Sequence, residues 1–464
     1  MIPRYAENYL SHWYGRKKRK PLVIRGARQT GKSTLVRMFA AAKGLSLVEI
    51  NLERYRNLES VAQRCDSDLL LREIGLIAGR NPAVVPNSLL FLDEIQAAPS
   101  LLTMLRYLYE DRPELAVVAA GSLLEFALSD ARISMPVGRT EFMHLGPVTF
   151  EEYLVSLKED TLAAYLQGFG PGVTPSEFAH EKLLVLLRDY LLVGGMPEAT
   201  AAFAEKADFL DIAVIHRSIL DAFRDDFSKY CSGTMLTVLR RVFDHVPRGV
   251  GRKFVYSHVN PAWTSREIRH AVDLLSRADV IARVHHSHGS GVPLGATVND
   301  RVFKPLFLDI GLLSAACEVK ALTLECMRER SFINEGPMAE QFAGQHIRGQ
   351  GEPFEPPQCY YWLREGRKNN AEVDFLTSAG PTVVPVEVKA GAGGSLRSLH
   401  QFVALRGSPI AVRFDLNQPS CTTSPHTTVT PLGKKEIALT LLSLPLYMAG
   451  RTREITSRYL SSGG

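Results

Sequence analysis

No two cysteines in this 464-residue chain stand at C-x-x-C spacing. The six present, Cys65, Cys231, Cys317, Cys326, Cys359 and Cys421, are scattered. That argues against a disulfide framework and against a zinc site, and it points to a reducing cytoplasm. Long apolar runs are scarce too. The longest late one, Ile437 to Gly450, contains Pro445 and is too short to span a bilayer, so it reads as a core segment and no membrane partner is expected. A secretory leader is not expected either, because Arg4, Glu7 and His12 interrupt the start of the chain. Excess charge is small: the formal net charge is +5, which is compatible with nucleic acid without demanding it. What remains is a soluble globular composition, 45% hydrophobic and 22% charged, long enough for roughly three domains.

The most informative stretch is Gly26-Ala27-Arg28-Gln29-Thr30-Gly31-Lys32-Ser33-Thr34. It fits the P-loop pattern G-x-x-x-x-G-K-[ST]. An apolar, strand-like run precedes it (Pro21 to Ile24) and a helix-like run follows (Leu35 to Ala40), which is the context the motif needs. The glycines let successive backbone N–H groups face phosphate oxygens, and a helix starting near Gly31 aims its positive end at the same anion. Lys32 supplies a point charge to the β/γ-phosphates, and the Ser33 hydroxyl suits Mg²⁺. Residues 26–34 are therefore the expected ATP-binding loop. Further on, Ser88-Leu89-Leu90-Phe91-Leu92-Asp93-Glu94 reads as a buried parallel strand delivering two acids at its carboxyl end. Asp93 is expected to hold Mg²⁺ and Glu94 to polarise the attacking water. Lys32, Asp93 and Glu94 are thus the candidate catalytic residues.

Two weaker candidates follow. Ser122 ends the strand-like run Leu115 to Ser122, where it either senses the γ-phosphate or caps a helix beginning at Leu123. Arg139 lies in a loop where it either reaches a nucleotide, in its own chain or a neighbour's, or forms a structural ion pair. Residues 58–80 read as one helix, and Thr149-Phe150-Glu151-Glu152 reads as a capping box opening a helix at Phe150.

The pattern divides the chain as follows: 1–20, a helix and a basic linker; 21–150, an α/β P-loop ATPase core with a parallel sheet; 151–230, a helical lid; 231–315, a winged-helix-like segment; 316–420, a C-terminal α/β domain; and 421–464, a tail packing on the core. In the winged-helix-like segment Arg266, Arg269 and His270 lie on a helix able to face DNA, while such modules also serve as protein-interaction or lid domains. His285, His286 and His288 lack an acidic or cysteine partner nearby and read as surface histidines.

The order of GARQTGKST, LLFLDEIQ, AAGSLLEF, VGRT…HLGPVTFEEYL and LLVGGMPEA resembles a family of prokaryotic AAA-like ATPases that carry a C-terminal domain of unknown function, DUF4143. The resemblance runs from about residue 20 to about residue 415 and implies a small helical lid behind the nucleotide site.

The C-terminal region adds a second constellation. A helix over Phe332 to Ile347 bears Glu340. The strand-like runs Ala371 to Leu376 and Val383 to Lys389 bear Asp374 and the Glu387/Lys389 pair, whose side chains share a face; Pro385 hints at an edge strand or a bulge. This resembles the PD-(D/E)XK nuclease core, although Glu372-Val373-Asp374 stands where the name-giving Pro-Asp would be. The resemblance implies that Asp374 and Glu387 hold a second divalent metal, that Lys389 assists a water, and that Glu340 is the additional helical acid. Two functions follow. One is a Mg·ATP-hydrolysing ATPase coupled to a DNA-handling, nuclease-like C-terminal half. The alternative is a nucleotide-gated switch whose C-terminal half binds nucleic acid or protein without cleavage. A homo-oligomer is compatible with either.

Overall fold

The computed structural model describes residues 2–122, 138–229, 231–317, 336–364, 370–389, 396–430 and 433–462. Two sheets organise them. The first has five strands: β1 (Leu22–Arg25), β2 (Ser46–Asn51), β3 (Ser88–Asp93), β4 (Ala116–Ala120) and β5 (Glu141–His144), in the order β2-β3-β4-β1-β5. Every pairing is parallel. β3 and β4 are buried along their whole length, as expected of strands covered on both faces, which is why they read as unbroken apolar runs. Helices Lys32–Ala42 and Ser100–Asp111 contribute Phe39 and Leu105 to the layers on either side. Because the strands are parallel, the P-loop after β1, the acids at the end of β3 and Ser122 after β4 share one sheet edge.

Residues 58–80 are two helices, Leu58–Ala62 and Ser67–Ala78, rather than one. The break comes at Cys65, which takes a positive φ of 54°, and at Asp66, whose carboxylate accepts from the Leu69 N–H and starts the second helix. The capping box at Thr149 is present: its hydroxyl accepts from the Glu152 N–H while the Glu152 carboxylate accepts from the Thr149 N–H.

The second sheet has eight strands: β6 (Ile281–Ser287), β7 (Val298–Phe307), β8 (Cys359–Arg364), β9 (Ala371–Ala379), β10 (Thr382–Val388), β11 (Ile410–Asp415), β12 (Ser420–Thr430) and β13 (Gly433–Pro445), in the order β12-β13-β11-β10-β9-β8-β6-β7. Helices Gly233–Gly249 and Ser265–Arg277 precede the β6/β7 hairpin, and the hairpin is no free wing, since β6 pairs with β8 and closes one edge of the sheet. Pro385 lies in an interior strand, not at an edge. β10 pairs with β9 on one side and β11 on the other, and pairing with β11 starts only at Val386, so the missing N–H falls where that ladder has not begun. β12 and β13 pair antiparallel along this sheet's edge, followed by helix Thr452–Ser462.

Buried polar contacts tie the two halves together. His346, on helix Gly336–Arg348, accepts from the Phe150 N–H through Nε2 at 2.9 Å, which leaves Nδ1 to donate to the Phe342 carbonyl. Burial pushes this imidazole down to about 4, so it stays neutral near pH 7. Asp309, fully buried, accepts from the Gly195 N–H at 2.6 Å and the Gly311 N–H at 2.9 Å. A side chain at Gly194 would meet Asp309 Oδ1 at 2.1 Å, so only glycine permits this approach. No helix among the described residues is long and apolar enough to cross a membrane.

Candidate functional sites

The P-loop leaves β1 through Gly26 (φ 148°) and enters its helix through Gly31 (φ 88°), two conformations that favour glycine. A Cβ at Gly26 would strike the Leu145 carbonyl oxygen at 2.1 Å. The loop is braced from outside by Arg4. Its guanidinium donates to the carbonyls of Thr30 (3.0 Å) and Gly146 (2.7 Å), and it pairs with Glu152 at 3.2 Å. Arg4 escaped sequence reasoning because its partners stand between 26 and 148 residues away.

Lys32 is buried, with its Nζ donating to the carbonyls of Gly26 (3.0 Å) and Ala27 (2.7 Å). Burial pushes its pKa down to about 8, against the pull of the Glu94 and Asp93 charges. The Ser33 hydroxyl donates to Asp93 Oδ2 at 2.9 Å. Burial, reinforced by the Glu94 charge, pushes the Asp93 carboxyl up despite that hydrogen bond. Two hard oxygens so close together on the loop and the strand end suit a Mg²⁺ ion. Glu94 takes a left-handed conformation (φ 53°), and its Oε2 accepts from Gln96 Nε2 at 2.5 Å. Ser122 is buried at the same edge. Lys32, Ser33, Asp93, Glu94 and Ser122 therefore come together, while the helix expected to begin at Leu123 lies outside the described residues.

Arg28, within the loop, pairs with Asp226 at the end of helix Phe209–Asp226, and Lys229 pairs with the same aspartate at 2.9 Å. Arg139 is not brought to this edge. It precedes β5, whose first residue pairs with the start of β1, so it sits at the opposite edge of the sheet, in an ion pair with Glu110 at 2.9 Å.

The second constellation also converges. Continuing the β9/β10 register past Phe375↔Val386 sets Asp374 beside Glu387. Asp374 Oδ2 accepts from the Val388 N–H at 2.8 Å, and Lys389 Nζ lies 2.5 Å from Glu387 Oε1. Glu387 Oε2 is buried without a hydrogen-bond partner among the described residues. Burial and the Asp374 charge push both Glu340 and Glu387 up. Two residues were missed here. Glu372 joins the cluster from the same face of β9. Lys304, from β7 and only 2% exposed, reaches Glu340 (2.8 Å), Glu372 (2.9 Å) and Asp374 (3.6 Å). A lysine inside the apolar run Val302 to Leu308 was the signal available for it. His285 and His286 are half-buried strand residues rather than surface ones, and a His286 ring nitrogen bonds the Leu363 carbonyl at 3.0 Å.

Three domain families match the sequence: an AAA domain over residues 18–154, a domain of unknown function, DUF8612, over residues 184–323, and a second, DUF4143, over residues 335–440. Nothing among the curated proteins matches the chain. Solved structures with some likeness include C. elegans PCH-2, at 12% identity, covering 43% of this chain and 61% of that one, with a TM-score of 0.26. Another is the Thermotoga maritima RuvB Holliday junction branch migration motor, at 16% identity, covering 65% and 93%, with a TM-score of 0.29. At such scores neither likeness carries weight for this chain. The family matches and the P-loop geometry agree: the chain carries an AAA domain of the P-loop type and, on its C-terminal side, a DUF4143 domain.

Proposed function

We propose that the chain binds and hydrolyses ATP with Mg²⁺ and couples that cycle to nucleic-acid binding by its C-terminal half. The observation that carries the first part is the Ser33–Asp93 contact beside the buried Lys32 amine, at the carboxyl edge of a parallel sheet. Residues 26–34 cradle the phosphates. Lys32 turns from the Gly26 and Ala27 carbonyls to phosphate oxygens, exchanging neutral acceptors for anionic ones. Ser33 and Asp93 hold the Mg²⁺, which when bound neutralises charge on the phosphates. Glu94 orients the attacking water and accepts its proton, with Gln96 fixing its carboxylate beforehand. Ser122, buried at the same edge, reads the γ-phosphate. The Arg28–Asp226 pair passes loop movement to helix Phe209–Asp226 and thence toward the rest of the chain.

The nucleic-acid part rests on charge. Residues 233–277 hold eight arginines and lysines against three acids, as large an excess as that of the whole chain. Arg240, Arg241, Arg248, Arg252, Arg266 and Arg269 are exposed. The acids are engaged elsewhere: Asp244 with Arg224, Asp273 with Arg283, and Glu267 capping its own helix at Thr264. An exposed face of this kind fits a phosphate backbone, with Arg266, Arg269 and His270 on one of its helices.

A second reading adds a nuclease at Glu340, Asp374, Glu387 and Lys389, with a second divalent metal on Asp374 and Glu387. Glu387 Oε2, buried with no hydrogen-bond partner among the described residues, favours it. Arg139, at the far sheet edge, reads a nucleotide only across a subunit boundary in a homo-oligomer. A cytoplasmic setting follows from the cysteine usage.

Glu94→Gln tests the ATPase. Turnover is expected to fall by about 10²–10⁴-fold with ATP binding retained; unchanged turnover removes Glu94 from catalysis. DNA binding is tested by its salt dependence, which should be steep and should flatten in an Arg241→Ala, Arg248→Ala, Arg252→Ala variant. Salt-independent binding would point to a protein partner.

A further inference from the structure

The acid cluster of the C-terminal sheet is built around an amine. Glu340 comes from helix Gly336–Arg348, Glu372 and Asp374 from β9, and Lys304 from β7. The acids belong to the segment matched by DUF4143, and the lysine belongs to the one matched by DUF8612. Its Nζ stands 2.8 Å from Glu340 Oε2, 2.9 Å from Glu372 Oε1 and 3.6 Å from Asp374 Oδ1. These are ammonium–carboxylate distances, and the amine fills the space between the oxygens. A magnesium ion needs oxygens converging at about 2.0–2.1 Å around one point, with room for its waters. Among the described residues no three side chains of His, Cys, Asp or Glu are so arranged.

The surroundings close the cluster further. A Cβ at Gly251 (φ 78°) would meet Glu340 Oε1 at 3.2 Å, so that backbone lies against the carboxylate. The Lys304 amine sits 5.6 Å from the centroid of the Tyr361 ring. A lysine 2% exposed cannot swing into water without moving β7, and β7 is held from Phe303 to Phe307 by pairing with β6. Three acids outweigh burial at Lys304 and raise its pKa, so the amine remains charged.

We propose that Lys304 is the resident cation of this cluster, engaging Asp374, one of the two carboxylates (with Glu387) on which a divalent metal would rest, so that the C-terminal half binds its partner without metal-dependent cleavage. The same ion pairs lock the β6/β7 hairpin to β9 and to helix Gly336–Arg348. Nothing in this depends on ATP turnover. If the ATPase reading fails, the lysine still fills the cluster.

The test is Mn²⁺ binding by the nucleotide-free full-length chain, followed by loss of the free-ion paramagnetic signal. An Asp93→Asn background removes the P-loop site from the count. With Lys304 in place, no Asp374-dependent uptake is expected at Mn²⁺ up to about 1 mM. Lys304→Gln should gain one Mn²⁺ per chain, with affinity raised at least about tenfold, and adding Asp374→Asn should abolish the gain. Uptake that requires Asp374 in the chain retaining Lys304 overturns the proposal. So does a folded Lys304→Gln chain, judged by circular dichroism, that gains no site. If Lys304→Gln does not fold, the parent titration decides alone, alongside DNA cleavage in Mn²⁺. Cleavage abolished by Asp374→Asn while Lys304 is present counts against the proposal; its absence, together with absent uptake, supports it.

Discussion

Two buried lysines, one at each site, differ in what surrounds them. Lys32 is 7% exposed and donates to two backbone carbonyls. Lys304 is 2% exposed and lies among three carboxylates. Dipoles solvate the first without neutralising it, so burial wins and its pKa falls to about 8. Full charges surround the second, so burial loses and its pKa rises. An amine whose hydrogen bonds go to dipoles gains when an anion arrives, because a charge-assisted hydrogen bond is roughly twice as strong as a neutral one. An amine already paired with acids has no such gain to make. Burial of a lysine therefore does not by itself mark a working site. The charge of its partners does.

The most forceful way to break this contrast is to remove each amine. Lys304→Met leaves three acids around a hole and should destabilise the chain by about 3–5 kcal/mol in denaturant unfolding. Adding Glu340→Gln should recover part of that loss, giving a coupling energy in a double-mutant cycle. Lys32→Met should instead leave stability unchanged or slightly raised, since it removes a buried charge that has no counter-charge in hydrogen-bond contact among the described residues, while weakening ATP binding by about 10–100-fold, the worth of a charged hydrogen bond. Equal loss of stability in the two variants would erase the distinction.

Acid probes the contact between the halves. His346 is pushed down to about 4 by burial, against about 6.5 in an unfolded chain. Between those values the unfolded state binds more protons, so stability must fall as pH drops from about 6.5 toward 4, by about 3 kcal/mol in all. Protonation also removes the Nε2 acceptor from the Phe150 N–H, so the loss should begin where helix Gly336–Arg348 meets residue 150. His346→Gln should flatten the acid limb of a melting-temperature profile. A profile unchanged by that substitution would exclude His346 as the cause.

The nucleotide site was legible because it is local. Glycines, lysine and hydroxyl sit within nine consecutive residues, and the strand that delivers Asp93 is announced by its own apolar run. Glu387 and Lys389 could be set on one strand face from periodicity, with Asp374 on the neighbouring strand, while Glu340 came from the nuclease-core resemblance; the four lie near one another. What escaped were groups whose meaning lies in distant partners. Lys304 meets acids 36 to 70 positions further on, and Arg4 meets carbonyls beyond the loop it braces. Arg139 shows the converse. Its loop is readable, but the sheet edge to which the loop leads is fixed only by the parallel pairing of β5 with β1. Pro385 misled for a related reason: whether a proline is tolerated in an interior strand depends on where the neighbouring ladder begins.

Alkali sharpens the contrast on a smaller scale. A phosphate ligand stabilises the charged form of Lys32, so ATP affinity should be greatest below about pH 8 and should decline by up to about tenfold per pH unit above it. Over the same range the ligand-free fold gains stability, because from about 8 up to the ordinary lysine range the unfolded chain holds the extra proton. Lys304, with its pKa raised, should contribute nothing to either trend.

The smallest expected effect is at Arg139. It is half-exposed, its partner Glu110 is exposed to water, and both lie across the sheet from the P-loop. Surface pairs of this kind add little to stability. Arg139→Ala should leave the melting temperature and ATP affinity of the isolated chain unchanged. Any effect should fall on turnover, and only where a neighbouring subunit presents this edge to the nucleotide. Turnover measured against protein concentration, alongside chromatographic mass with and without ATP, separates the two cases. Loss of turnover in a species that stays monomeric would mean that Arg139 reaches its own nucleotide, which the pairing of β5 with β1 does not allow without rebuilding the sheet.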